Sequence, residues 1–149
     1  VILNSWQKIL KTRKKKAVFV DQGPIFLIAS LIGLNPEISD KSLNHEPWKP
    51  LLKRWANQLD AIIYLDADDF DLIQRINQRE KEHLVKGKSS DQIQKFLSHN
   101  RSMYNVLLEY VQNNNPQLKI FRLNSSQLPL AVLVHDLLST IDSNLGLNN

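Results

Sequence analysis

Asp21 closes the apolar run Ala17-Val18-Phe19-Val20 and is followed at once by Gln22-Gly23-Pro24. A carboxylate at the end of a parallel strand faces the crevice where α/β sheets bind their ligands. There it has the chemistry to orient an acceptor, to hold a Mg2+-bound water, or to act as a base. The plainer alternative is a turn residue, although Gly23-Pro24 already supplies the turn. A second run, Ala61-Ile62-Ile63-Tyr64-Leu65-Asp66-Ala67, feeds a segment carrying Arg75 and Arg79. Four residues apart, both project from one face of a helix. Lys81, Lys86 and Lys88 follow within the same stretch. Guanidinium forks grip phosphate oxygens in pairs, and lysines add point charge. The alternative is a solvated face with local ion pairs, such as Arg75 with Glu80 or Arg79 with Glu82. Taken together, two strand-end carboxylates and a downstream arginine pair point to phosphate handling. Asp66 itself reads more simply as the cap or bend of a strand-to-helix turn.

Other candidates are weaker. His83 lies inside the basic segment, within reach of a phosphate. Arg101 sits on the next helix, either exposed or reaching back into the cleft. His45, His83, His99 and His135 show no metal-ligand spacing, and no Gly-x-Ser-x-Gly nucleophile turn occurs. No Gly-x-x-x-x-Gly-Lys-Ser/Thr phosphate loop occurs either.

Helices and strands must alternate to position these residues. Ile2, Leu3, Trp6, Ile9 and Leu10 recur at helical spacing and predict a first helix ending near the lysine run. Ala17 to Val20 reads as a buried strand. Ile25 to Leu34 reads as an apolar helix, with Pro24 suited to its first turn. Asn35 to Pro47 is polar and reads as a loop. Pro50 starts a helix burying Leu51, Leu52, Trp55 and Leu59, and Ala61 to Leu65 is a second strand. Asp68 or Asp69 caps a helix to about Glu80 with Phe70, Leu72, Ile73 and Ile76 inward. Residues 81–90 form a charged, lid-like loop around Gly87. Ser89 or Ser90 then caps a long helix to about Asn113, burying Ile93, Phe96, Leu97, Tyr104, Leu107, Leu108 and Val111. Leu118 to Leu123 is a third strand, followed by Asn124-Ser125-Ser126 and a helix from Leu128 to Ile141. The alternation predicts an α/β fold, a parallel sheet with helices on both faces. Three strands are few for so many helices.

The chain has 149 residues, 42% hydrophobic and 23% charged, as a single globular domain would. No apolar run approaches the roughly 20 residues of a membrane span. Absence of cysteine excludes disulfides and thiolate metal sites and fits a reducing, cytoplasmic setting. The net charge of +4 owes much to Lys8, Lys11, Arg13, Lys14, Lys15 and Lys16. That run reads as a solvated helix end. Without interleaved aromatic residues to stack bases, it argues against nucleic acid as a partner. The start at Val1 suggests a piece of a longer polypeptide.

The run Leu59-Asp60-Ala61-Ile62-Ile63-Tyr64-Leu65-Asp66-Ala67, with Leu72-Ile73-Gln74-Arg75-Ile76-Asn77-Gln78-Arg79 after it, resembles P-loop kinases of the nucleotide kinase type. In thymidylate and adenylate kinase-like proteins a strand ending Leu-Asp-Ala-Pro precedes a helix bearing Arg-x-x-x-Arg and a basic lid. Val20-Asp21-Gln22-Gly23-Pro24 resembles the earlier strand end of the same proteins. Glu82-His83-Leu84-Val85-Lys86 with Ser89-Ser90-Asp91 looks closest to an uncharacterised kinase-like branch. The likeness runs in element order across residues 17–140. It implies a P-loop NTPase sheet whose phosphate-loop strand, missing from this sequence, lies between the strands of Asp21 and Asp66. It implies ATP and Mg2+ as cofactors, with Asp21 as the carboxylate that orients the acceptor or a magnesium-bound water. Arg75 and Arg79 would stabilise transferred charge, helped by Lys86. Arg101 would match an arginine reaching back from the helix after the lid, and Asn124, Ser125 and Ser126 would hold adenine. Gln22 departs from the family, standing where many relatives carry an acceptor-binding arginine.

The expected function is ATP-dependent phosphoryl transfer to a small acceptor, such as a nucleoside or nucleotide, by a kinase of which this chain is the C-terminal part. The alternative is a catalytically degenerate, kinase-like binding module contacting an acidic partner or RNA.

Overall fold

The computed structural model of the chain describes residues 18–33, 48–127 and 129–145. It divides into two compact units, Val1–Leu52 and Lys53–Asn149. The first helix expected from Ile2 onward, the loop from Asn35 to Pro47, Ala17 and Leu128 lie outside the described residues.

In the first unit, Val18 to Val20 forms no strand. The expectation fails for a physical reason: a strand exists only through a hydrogen-bonded neighbour, and no described segment pairs with this run. Phe19 is 63% exposed. Asp21 and Gln22 make a turn in which Gln22 takes a left-handed φ of 49°. Helix α1 (Pro24–Gly33) follows. Its first turn is closed by the Leu27 amide donating to the Gly23 carbonyl at 3.2 Å, and Pro24 has no amide to leave unpaired. Ile25, Ile28, Ala29 and Ile32 are buried at helical spacing.

Helix α2 (Lys49–Ala56) runs across the boundary between the units. Strands β1 (Ala61–Asp66) and β2 (Lys119–Asn124) pair in parallel, with Ala61 opposite Lys119 and Asp66 opposite Asn124. Between them lie α3 (Asp69–Gln78) and α4 (Ser90–Asn114), and α5 (Leu130–Leu145) follows β2. Among the described residues the sheet therefore has two strands. The chain is mixed α/β with a small parallel sheet.

Helix α4 is begun by a reciprocal cap. The Gln92 amide donates to Ser89 Oγ at 3.4 Å, and the Ser89 amide donates to Gln92 Oε1 at 3.2 Å. Ile76 of α3 packs with Ile93 and Leu97 of α4, and Leu72, Ile73, Val85 and Phe96 close around them. Phe70, expected to face inward, is 77% exposed. At about 100° per residue it lies well round the helix from the stripe of Leu72, Ile73 and Ile76. Farther along α4, Leu107, Leu108 and Val111 are buried. Tyr104 and Phe96 are only half-buried, and Met103 joins the core instead. Beyond α4, Gln112 Nε2 donates to the Leu118 carbonyl at 3.0 Å, and Asn115 Nδ2 donates to the Ala56 carbonyl at 2.8 Å. These bonds tie the approach to β2 and so fix its register.

The sheet face bearing Tyr64 and Arg122 meets α4. Tyr64 lies 5.5 Å from the Tyr104 ring, and Arg122 Nη1 donates to Asn105 Oδ1 at 2.9 Å. On the other face Leu65 is 58% exposed. No helix among the described residues is long and apolar enough to cross a membrane.

Candidate functional site

Parallel pairing brings the carboxyl ends of β1 and β2 together, so the turns leaving Asp66 and Asn124 are neighbours. The Ser125 amide donates to the Asp66 carbonyl at 2.8 Å, and Ser125 Oγ donates to the same oxygen at 3.0 Å. The Asp68 amide donates to Ser126 Oγ at 2.9 Å, and Asn124 Nδ2 donates to Asp68 Oδ1 at 2.8 Å. Asp68 thus occupies the N-cap position of α3 without capping it by its side chain. Its carboxylate is used across the sheet edge.

Arg75 reaches this edge from α3. Its Nη1 donates to Ser125 Oγ at 2.9 Å and its Nη2 to the Ser125 carbonyl at 3.4 Å. Both acceptors are neutral, so the guanidinium charge is exposed beside three polar residues of the β2 turn. Arg101 contrasts with it. Its Nε donates to Asp66 Oδ2 at 2.8 Å, and its Nη2 donates to Asp66 Oδ1 at 3.2 Å and to the Ala67 carbonyl at 2.7 Å. Its Nη1 donates to Asp69. The Asp69 carboxyl is held below the ordinary aspartate range, first by the hydrogen bond from Arg101. The paired carboxylates raise the Arg101 guanidinium pKa further still. Asp66 also accepts the Ala67 amide at 2.8 Å, which makes it the strand-to-helix turn residue anticipated above. Tyr64, one residue behind Leu65 on β1, has its hydroxyl pKa raised by burial and then by Asp66.

Arg79 ends α3 as its C-cap residue and is exposed. The loop from Arg79 to Ser89 folds back on it: Lys86 Nζ donates to the Arg79 carbonyl. The Val85 amide donates to His83 Nδ1 at 3.4 Å, and the imidazole meets Phe96 edge-on at 5.7 Å. Burial, and then the Arg79 charge, lowers the His83 pKa. The segment is turn-rich, and its Val85 rests on the α3–α4 core. Gly87 at its tip has φ 74°.

The structure therefore brings together Arg75, Arg101, Asn124, Ser125 and Ser126. It places Arg79 and Lys86 at the far end of α3, and Asp21 in the first unit, exposed in its turn. Sequence reasoning missed Asp68 and Asp69 as partners in the site. The available signal was the Asp66-x-Asp68-Asp69 spacing, which sets carboxylates on both sides of a strand-to-helix turn.

The residues suit a phosphorylated or polar ligand through the exposed charge of Arg75 and the amide and hydroxyl groups around it. For Mg2+, no group of three or more His, Asp or Glu side chains among the described residues stands close enough to hold a metal. Asp21, the carboxylate expected on the metal side, lies in the first unit, exposed in its turn. Two surface grooves along α4, one lined by Asp91, Gln94, Lys95 and Ser98 and the other by Asn105, Glu109 and Arg122 among others, do not involve the candidate residues. No protein-family model, curated protein or solved structure matches this chain.

Proposed function

We propose that this chain takes part in ATP-dependent phosphoryl transfer to a small-molecule acceptor, as the nucleotide kinases it resembles do. The observation that carries the reading is Arg75. It is a guanidinium with no carboxylate partner among the described residues, held by Ser125 at the carboxyl edge of two parallel strands, where open α/β sheets bind ligands. Asn124, Ser125 and Ser126 supply donors and acceptors suited to a purine edge. Arg75 and Arg79 neutralise charge on the phosphates, and Lys86 adds to the field. Magnesium, when bound with ATP, supplies further charge neutralisation. The finer fold assignment, a P-loop NTPase sheet, belongs to the same proposal, and its phosphate-cradling loop would come from outside the 149 residues.

The test is calorimetric titration of ATP into the protein expressed from its complete reading frame, with and without Arg75→Ala. Binding that weakens at least tenfold in the variant supports the reading. ATP binding indifferent to Arg75 would sink it.

A second reading, the degenerate binding module, draws on Arg101, whose guanidinium is already engaged by two carboxylates. It expects no ATP binding, and association with RNA or an acidic partner that weakens steeply with salt.

A further inference from the structure

We infer that Arg101 is a positioning residue that acts on the candidate ligand site through Asp66 and Ser125, and does not itself hold phosphate. The inference rests on the reading that Arg75 meets an anionic ligand.

A continuous set of bonds links the two arginines. Arg101 grips the Asp66 carboxylate with Nε and Nη2, and binds the Ala67 carbonyl next to it. The Asp66 backbone carbonyl in turn accepts both the amide and the hydroxyl of Ser125. With its proton committed to Asp66, the Ser125 hydroxyl presents a lone pair to Arg75 Nη1. Each group has one role fixed by the next. Arg101 also holds Asp69 in the first turn of α3, the helix that carries Arg75. Both ends of the Arg75 placement, its helix and its serine, therefore depend on one guanidinium.

Charge separates the roles. Arg101 faces two carboxylates, so an approaching phosphate would meet a neutralised cation and repulsion from Asp66 and Asp69. Among the described residues Arg75 donates to neutral oxygens, those of Ser125. A phosphate is drawn to the second and not to the first. The fork geometry also explains why arginine stands at position 101. Lysine keeps the charge but cannot span Asp66, Asp69 and the Ala67 carbonyl at once.

The test uses the complete protein and ATP as the probe, in a cycle of Arg75→Ala, Arg101→Lys and the double variant. Arg101→Lys should weaken ATP binding by roughly fivefold to tenfold when Arg75 is present, and have little further effect once Arg75 is alanine. Equal losses in both backgrounds, or no loss in either, would overturn the inference. Amide exchange of Ser125 provides an arm independent of ATP. Its protection should fall about tenfold in Arg101→Lys, well below the melting transition, and unchanged protection would overturn the linkage. Wild-type protein that fails to bind ATP removes the nucleotide reading alone, and Ser125 exchange then decides the linkage. Should Arg101→Lys not fold, Asp69→Asn is measured in its place, with the same coupling to Arg75 expected and additivity counting against it.

Discussion

Arg101 Nε lies 2.8 Å from Asp66 Oδ2, although 35 residues separate the two in sequence. The contact ties the middle of the long helix α4 to the end of β1, and it is the point from which both turns of the candidate site are organised. Its side chains are about a third exposed, so water screens part of the attraction. What the pair contributes comes as much from direction as from charge.

Replacing Arg101 by alanine should lower stability by about 1–2 kcal/mol, the lower end reflecting solvent screening. The cost arises because Asp66, Asp69 and the Ala67 carbonyl lose their shared donor. Urea denaturation of wild type and variant measures it, and an unchanged midpoint would show that water replaces the guanidinium without loss.

Asp69 gives a pH dependence of known sign. Its folded carboxyl pKa is depressed, chiefly by the Arg101 hydrogen bond. The unfolded chain therefore takes up this proton at a higher pH than the folded protein does. The stabilisation is complete above the unfolded value of about 3.9 and disappears as pH falls through the lower folded value. Asp69→Asn should flatten the stability profile in that acid window and leave its shape near neutrality unchanged. Thermal melts across the acid range give the comparison.

Arg79→Ala in the complete protein should reduce turnover far more than stability. An exposed arginine contributes within about 0.5 kcal/mol to folding, whereas a charge contact to a transferring phosphoryl group is worth roughly a hundredfold in rate. Kinetics and melting measured side by side separate the two. Unchanged turnover returns Arg79 to a solvated helix end.

Asp21→Asn preserves shape and removes charge. Phosphoryl transfer should be nearly abolished while ATP binding is largely retained, as rate and titration measurements on the same sample would reveal. Wild-type turnover in the variant would make Asp21 a turn residue only.

Gly87 tests the connection between α3 and α4. Its φ is 74°, and a Cβ there would meet nothing within 4 Å. The penalty for Gly87→Ala is therefore one of backbone conformation alone, about 1 kcal/mol. Gly87→Asn should cost less, since asparagine tolerates this region better. Equal melting of all three proteins would contradict the left-handed geometry.

The sequence by itself determined the elements that carry a local signal. The apolar runs of β1 and β2, the helical stripe of Leu72, Ile73 and Ile76, and a serine cap at Ser89 or Ser90 all depend on residues a few positions apart. Their periodicity is a direct consequence of backbone geometry. The arginine pair and the polar Asn124-Ser125-Ser126 turn were legible for the same reason, as residue types placed at the ends of those elements. What each of them touches was not. Tertiary structure alone decided that Arg101 would face Asp66 and Asp69, that Arg75 would be left with Ser125, and that Asp68 would turn from capping its helix to meet Asn124. It also left Val18 to Val20 without a ladder, because a strand needs a partner that no local pattern provides. Partners like these lie 32 to 56 residues apart. Their choice depends on how the parallel strands align and how α4 runs back across the sheet, and no spacing within a single element records it.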